Sequence, residues 1–161
     1  MTLLASAPDW LAALLILLLV LAALEDIWRL QINDWVCGAI AAGAFLAVAM
    51  NGPAGELWQN LLLFAAMLGI GTLLFARGWM GGGDVKLLAA CSLWFDLDQG
   101  WKMLVAVAIA GGLETLLVML LRILPWPASL RKRIASLQPG EGIPYGVAIG
   151  AGVVLIGLVT R

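Results

Sequence analysis

Apolar segments follow one another along almost the whole chain of 161 residues. Hydrophobic residues make up 63% of the chain and charged residues only 12%, which is about half the share usual in soluble domains. A soluble domain of this size has too little interior to cover so much apolar surface. The sequence therefore predicts an all-α, polytopic membrane protein, and it excludes a soluble enzyme, a disordered chain and a secreted disulfide scaffold.

Turn signals and charged residues divide the apolar sequence into six segments, which we interpret as transmembrane helices. One of these turn signals is Asn51-Gly52-Pro53, which ends the second segment. The fourth segment is short and begins with charged residues. No linker divides the chain, so we predict a single transmembrane domain over residues 1–161. The segments cover approximately residues 10–24, 35–50, 57–76, 84–95, 101–124 and 143–160.

The basic residues predict the orientation of these spans, since cytoplasmic loops carry an excess of Lys and Arg. With the N-terminus outside, seven of the nine basic residues face the cytoplasm. The basic loop at about 125–142 would then contact anionic lipid or an acidic partner. Tryptophans near the span ends predict an aromatic belt at the membrane interfaces. They are Trp10, Trp28, Trp35, Trp58, Trp79, Trp94 and Trp101.

The absence of histidine limits the chemistry that the chain can perform. It excludes a Ser-His-Asp triad, a Cys-His pair and an imidazole metal site within the chain. Cys37 and Cys91 lie in apolar segments without a CxxC motif, so we interpret both as small buried hydrophobes. A net charge of -1 argues against nucleic-acid binding. Any chemistry must therefore use carboxylates, hydroxyls, Lys, Arg or Tyr, and we expect no metal or other cofactor.

Four acidic residues lie at or near membrane depth, where a charged side chain is costly. Asp26 ends the first span and Asp84 begins the fourth, so both face the cytoplasm in the predicted topology. Two aspartates that approach each other can share a proton, and the ionised one can then activate a water molecule. Glu25 is interpreted as an interface charge, and Glu114, near the middle of a span, as a structural polar contact.

The glycines before Asp84 have two interpretations. Gly81-Gly82-Gly83 permits backbone conformations barred to other residues and lets a substrate or a helix approach closely. Alternatively, the glycines form a plain tight turn in which Asp84 caps the following helix.

Polar residues surround the two aspartates on the same predicted face. Arg29 lies one helical turn beyond Asp26, and Asn33 and Asp34 are candidate caps for the second span. Lys86 follows Asp84 by two residues, so on a regular helix it points away from that carboxyl group. We interpret Lys86 as a membrane-interface anchor.

Three short segments together form a specific pattern: EDIWRLQIN at 25–33, GGGDVKL at 81–87 and IPYGVA at 143–148. They resemble the first-aspartate segment, the GxGD signature and the closing motif of type IV prepilin peptidases, which are GxGD intramembrane aspartyl proteases. Ile32 departs from the pattern, because proline often precedes the asparagine there. The chain also lacks the CxxC region that carries N-methyltransferase activity in long members. It therefore resembles the short, peptidase-only forms of Flp pili or of archaeal preflagellin processing.

The resemblance implies an aspartic endopeptidase in a bacterial inner membrane with Asp26 and Asp84 as its catalytic pair. The implied substrates are prepilins, which carry a basic leader, a glycine and a hydrophobic helix and are cut after that glycine at the cytoplasmic face. Contacts with membrane lipid and a homo-oligomer are further expectations. Residues expected to bind substrate or shape the active-site loop are Glu25, Arg29, Asn33, Gly81, Gly83, Lys86 and Tyr145.

Two other functions use the same residues. A proton-coupled transporter or channel subunit would employ Asp26, Asp84 and Glu114 as a proton relay. The absence of an evident inverted repeat argues mildly against it. A non-catalytic scaffold would use the acids as helix caps and topology markers.

Overall fold

The computed structural model describes residues 2–51, 57–138 and 140–160, and within these ranges the chain is helical without a β-strand. This result confirms the all-α prediction. Most of the predicted turn at 51–53 lies outside the described residues. The helices are α1 (Leu3–Ser6), α2 (Asp9–Arg29), α3 (Asp34–Asn51), α4 (Leu57–Ala76), α5 (Gly82–Ser92), α6 (Leu97–Ile123), α7 (Ala128–Arg133) and α8 (Tyr145–Thr160), with a 3-10 turn at Ala135–Leu137.

Among the described helices, α2, α4 and α6 are long and apolar enough to cross a membrane. Two shorter apolar stretches, Asp34–Met50 of α3 and Tyr145–Thr160 of α8, accompany them. Helices of this length and composition are typical of an integral membrane protein. Helix α5 has only 11 residues, fewer than the about 20 that cross a bilayer core. The number of six spans accordingly stays a prediction.

Helix α5 lies against several others, and this arrangement defines the core. It packs on α3, α4 and α8, while α8 also packs on α2 and α6. Seven of its residues are buried, Asp84 among them. Because α5 is short and enclosed by these helices, the side chain of Asp84 in its first turn lies inside the helical bundle.

The tryptophan prediction was wrong for Trp94. Its side chain is 1% exposed, and its indole N–H donates a hydrogen bond to the carbonyl oxygen of Ile40, 3.1 Å away. Trp94 lies two residues after α5, and its side chain packs in the hydrophobic core. The buried indole N–H is satisfied there by a backbone carbonyl oxygen. The other six tryptophans of the predicted belt are more than half exposed.

The basic segment between α6 and α8 is folded. The Arg122 guanidinium donates hydrogen bonds to the carbonyl oxygens of Ser136, Glu141 and Gly142, at 2.9, 3.1 and 2.7 Å. Arg131 returns a hydrogen bond to the carbonyl oxygen of Arg122, at 3.1 Å. These contacts fix the end of α6 to the segment that leads into α8.

Candidate active site

Asp26 lies in the last turn of α2, which continues past it to Arg29. Its side chain is 4% exposed, and Oδ2 accepts a hydrogen bond of 2.6 Å from the backbone N–H of Gly146. This N–H belongs to the first turn of α8, where helical N–H groups have no partner within the helix. The pairing therefore satisfies both a buried carboxyl oxygen and an otherwise unpaired amide.

The chain leaves α2 after Arg29, one turn beyond Asp26. Leu30 adopts a left-handed conformation with φ 51°, and its N–H donates to the carbonyl oxygen of Asp26 over 2.8 Å. This residue closes α2 in the position that glycine most often takes. Ile32 follows two residues later and is buried beside Asp26 and Gly146.

Asp84 lies in the first turn of α5 and is 7% exposed. Its Oδ1 atom is buried and has no hydrogen-bond partner within the described part of the chain. A buried polar atom without a partner is costly and is frequently found at functional sites. The charges of Asp84 and Asp26 are close enough to interact.

The glycines before Asp84 do not adopt backbone conformations that only glycine favours. Gly81 precedes the helix with an extended backbone at φ -70°, and among the described glycines only Gly78 and Gly140 have positive φ. The expectation of a backbone barred to other residues at positions 81–83 was therefore wrong. The alternative interpretation was also wrong, because Gly81 stands at the N-cap and Asp84 lies inside the helix.

Close approach explains these glycines instead. A Cβ atom at Gly81 would lie 2.7 Å from Oδ2 of Asp84. A Cβ atom at Gly83 would lie 3.1 Å from Cβ of Ile32. The missing side chain of Gly83 thus lets the start of α5 pack directly on Ile32 in the segment that follows α2, whereas that of Gly81 leaves room for the Asp84 carboxyl group.

A cleft of about 470 Å³ opens between these two segments. Both aspartates line it, together with the predicted residues Asn33, Gly81 and Gly83. Its other lining residues are Leu30, Gln31, Ile32, Asp34 and Gly82. The structure thus places two buried carboxyl groups on the wall of a cleft whose remaining surface is largely backbone and small or polar side chains.

Two polar contacts lie beside the cleft. Glu25 accepts hydrogen bonds from the side-chain amide and the backbone N–H of Asn33, at 2.7 and 3.2 Å. Lys86 forms a salt bridge of 2.7 Å with Asp34, and both side chains are at least half exposed. The first contact joins the segment after α2 to the end of α2, and the second joins the start of α3 to α5, so Glu25 and Lys86 are placed to shape the cleft from outside it.

Arg29 and Tyr145 do not line the cleft. Arg29 lies with Glu25, Trp28 and Arg133 in a separate surface crevice. The Tyr145 ring lies 3.6 Å from the position that a Cβ at Gly111 would occupy, so it packs between α8 and α6. Neither residue lies in the cleft, so the structure does not support the prediction that they bind substrate there.

The interpretation of Glu114 as a structural polar contact is confirmed, but sequence reasoning did not predict the backbone partners of Glu114 and Asp26 at the start of α8. Gly146 contacts Asp26, and Ala148 donates its N–H to Oε2 of Glu114 over 3.1 Å. Gly146 and Ala148 lie in the IPYGVA segment, which the sequence identifies only by its resemblance to a known motif. No sequence signal identifies a backbone amide as the partner of a particular carboxyl group.

Two neighbouring carboxyl groups in a cleft can perform general acid–base chemistry on a bound peptide. Within the described ranges, no group of three or more His, Cys, Asp or Glu side chains is arranged to hold a metal ion.

Comparison with known proteins addresses the family directly. The family model described as the type IV leader peptidase family matches residues 13–126, which include both aspartates and the glycine segment. Neither the curated proteins nor the solved structures contain a match to the chain. The match covers more than half of the chain, and it confirms a prepilin-peptidase type of protease acting on prepilin-type substrates in general. The chain belongs to the type IV leader peptidase family.

Proposed function

We propose that the chain is a membrane-embedded aspartic endopeptidase that cleaves the leader from prepilins after a glycine, with Asp26 and Asp84 as its catalytic pair. The observation that carries this proposal is the placement of two buried aspartates, from separate helices, on one cleft. Membership of the type IV leader peptidase family supports the class of reaction.

The proposed reaction is the direct attack of water on the scissile peptide bond. One aspartate in its ionised form takes a proton from the water, whose oxygen then bonds to the carbonyl carbon. The other, in its neutral form, polarises the carbonyl oxygen. Collapse of the tetrahedral intermediate breaks the C–N bond, and a carboxyl proton passes to the leaving nitrogen. Two carboxyl groups supply every proton transfer in this scheme.

The cleft suits an extended peptide because glycines form part of its wall. Gly81, Gly82 and Gly83 leave the backbone at the start of α5 without side chains that would keep a substrate away from Asp84. Asp84 lines this wall, and its buried Oδ1 atom has no hydrogen-bond partner among the described residues.

The proposal includes six spans in a bacterial inner membrane, with the N-terminus outside and the cleft at the cytoplasmic face. Single-cysteine variants in a background without Cys37 and Cys91 test this orientation. Asp34→Cys and Trp79→Cys should be labelled only from the cytoplasm, and Trp101→Cys only from outside. All three side chains are exposed. Labelling of Asp34→Cys from outside would contradict the orientation.

Processing of a co-expressed prepilin tests the catalytic pair. Asp26→Asn and Asp84→Asn should each abolish leader removal, because an amide can neither activate water nor return a proton. Asp98→Asn is the matched control, since Asp98 is exposed and paired with a lysine, Lys102, and does not line the cleft. Normal cleavage by either of the first two variants would refute the assignment. A proton-coupled transporter would instead show pH-driven flux in liposomes without cleavage.

A further inference from the structure

The start of α8 is held from two sides by acidic side chains of other helices. The Tyr145 and Val147 N–H groups donate to the carbonyl oxygens of Ile143 and Pro144, at 2.9 and 3.1 Å. The remaining N–H groups of the first turn have no local partner and donate to side chains. Gly146 donates to Asp26 of α2, and Ala148 donates to Glu114 of α6.

The two acidic side chains accept hydrogen bonds from amides on different sides of α8. Successive residues of an α-helix are about 100° apart, so the amides of Gly146 and Ala148 lie on roughly opposite sides of α8. Packing on α2 and α6 holds the body of α8, and the two hydrogen bonds hold its first turn, in which the Gly146 N–H points at Oδ2 of Asp26.

Glu114 is unusual among the residues of α6. It is half buried on a membrane-crossing helix and lines a largely apolar cavity of about 540 Å³ beside Leu117, Val118 and Val147. A carboxyl group is costly in such surroundings, and it is retained where it forms a specific contact. The contact observed here is the hydrogen bond of 3.1 Å from Ala148.

We propose that Glu114 is a positioning residue for Asp26. By accepting the Ala148 N–H it fixes the first turn of α8, and this turn presents the Gly146 N–H to Asp26. The inference rests on the proposed function insofar as Asp26 is catalytic. The hydrogen bond, and not the negative charge, carries the effect, because an acceptor oxygen is what the amide requires.

Two substitutions at this position separate the hydrogen bond from the charge. Glu114→Gln keeps an acceptor oxygen and should retain cleavage within about threefold of the original kcat, since a neutral hydrogen bond replaces the original one. Glu114→Leu removes the acceptor and should lower kcat about tenfold or more, with KM changed much less. Equal kcat for Glu114→Leu and the original protein would overturn the proposal. So would an equal loss in both variants, since it would assign the effect to the charge.

Thr115→Val is the matched control on the same helix. The Thr115 hydroxyl donates to the carbonyl oxygen of Gly111, 2.7 Å away, so its loss removes a side-chain hydrogen bond that lies within α6. This variant should cleave normally. Thermal unfolding of all three variants in detergent identifies any loss of kcat that comes from unfolding.

Amide hydrogen exchange of the peptide covering 143–150 provides a readout that does not depend on catalysis. Glu114→Leu should speed exchange at the start of α8, and Glu114→Gln should restore protection. If the full protein cleaves no prepilin, the proposed function fails, and this measurement still decides whether Glu114 fixes the helix. Unchanged exchange in Glu114→Leu would refute the positioning role.

Discussion

The backbone N–H of Gly146 donates a hydrogen bond of 2.6 Å to Oδ2 of Asp26, although the two residues are 120 positions apart in the chain. A backbone donor holds the carboxyl group without adding a side chain to the site. The same contact leaves no room for one, because a Cβ at position 146 would lie 2.9 Å from that oxygen. The identity of residue 146 is therefore tied to the placement of Asp26.

Gly146→Ala should lower kcat about tenfold or more, because the added methyl group displaces the Asp26 carboxyl group from its position. The substitution keeps the N–H group and favours the helix by up to about 1 kcal/mol, so the variant should remain folded. Cleavage of a co-expressed prepilin measures the effect, with thermal unfolding in detergent to verify folding.

Gly150→Ala is the matched control for this prediction. Gly150 lies one turn further along α8, and a Cβ there would make an ordinary contact of 3.8 Å with Leu19. This variant should cleave at the original rate. If both substitutions lower cleavage equally, the effect belongs to α8 packing and not to the contact with Asp26.

Gly81→Ala should impair the other aspartate. The new Cβ would lie 2.7 Å from Oδ2 of Asp84, closer than carbon and oxygen tolerate, so the carboxyl group must turn away. We expect kcat to fall about tenfold or more while the backbone, already in an extended conformation, accepts alanine. Gly38→Ala serves as the control, since a Cβ there meets nothing within 4 Å. An unchanged kcat for Gly81→Ala would show that Asp84 acts in a different side-chain position.

Local sequence features explain how much of the fold could be predicted. The apolar segment predicted at 57–76 has the same bounds as α4. A continuous apolar stretch with polar residues on both sides defines where a helix begins and ends. The interior of the site is different. The hydrogen bond between Gly146 and Asp26 depends on how α8 packs on α2, and backbone amides carry no residue-specific signal. The role of Gly83 likewise depends on Ile32, which only the folded chain brings against it.

Asn60→Leu should destabilise the protein by about 1–3 kcal/mol, because it leaves buried carbonyl oxygens without a donor. The buried Asn60 side-chain amide donates to the carbonyl oxygens of Leu93 and Phe95, both at 2.9 Å. These bonds fasten the segment after α5 to α4. Unfolding in a denaturing detergent measures the change. Gln59→Leu is the control, since Gln59 makes one exposed bond of 3.3 Å to Leu97, and equal losses would contradict the special role of Asn60.

Gly152→Ala should destabilise the contact between α8 and α6 by about 1–3 kcal/mol, because the added methyl group overpacks it. A Cβ at this position would lie 2.5 Å from Cγ2, 2.8 Å from N and 3.0 Å from Cα of Val107. Two of these atoms are backbone, so the helices must separate. Gly112→Ala, with nothing within 4 Å, should be neutral or stabilising in the same unfolding measurement. Adding Val107→Ala removes only the Cγ2 clash and should restore a minor part of the loss. Full restoration would show that the side chain of Val107, and not its backbone, sets the distance between the two helices.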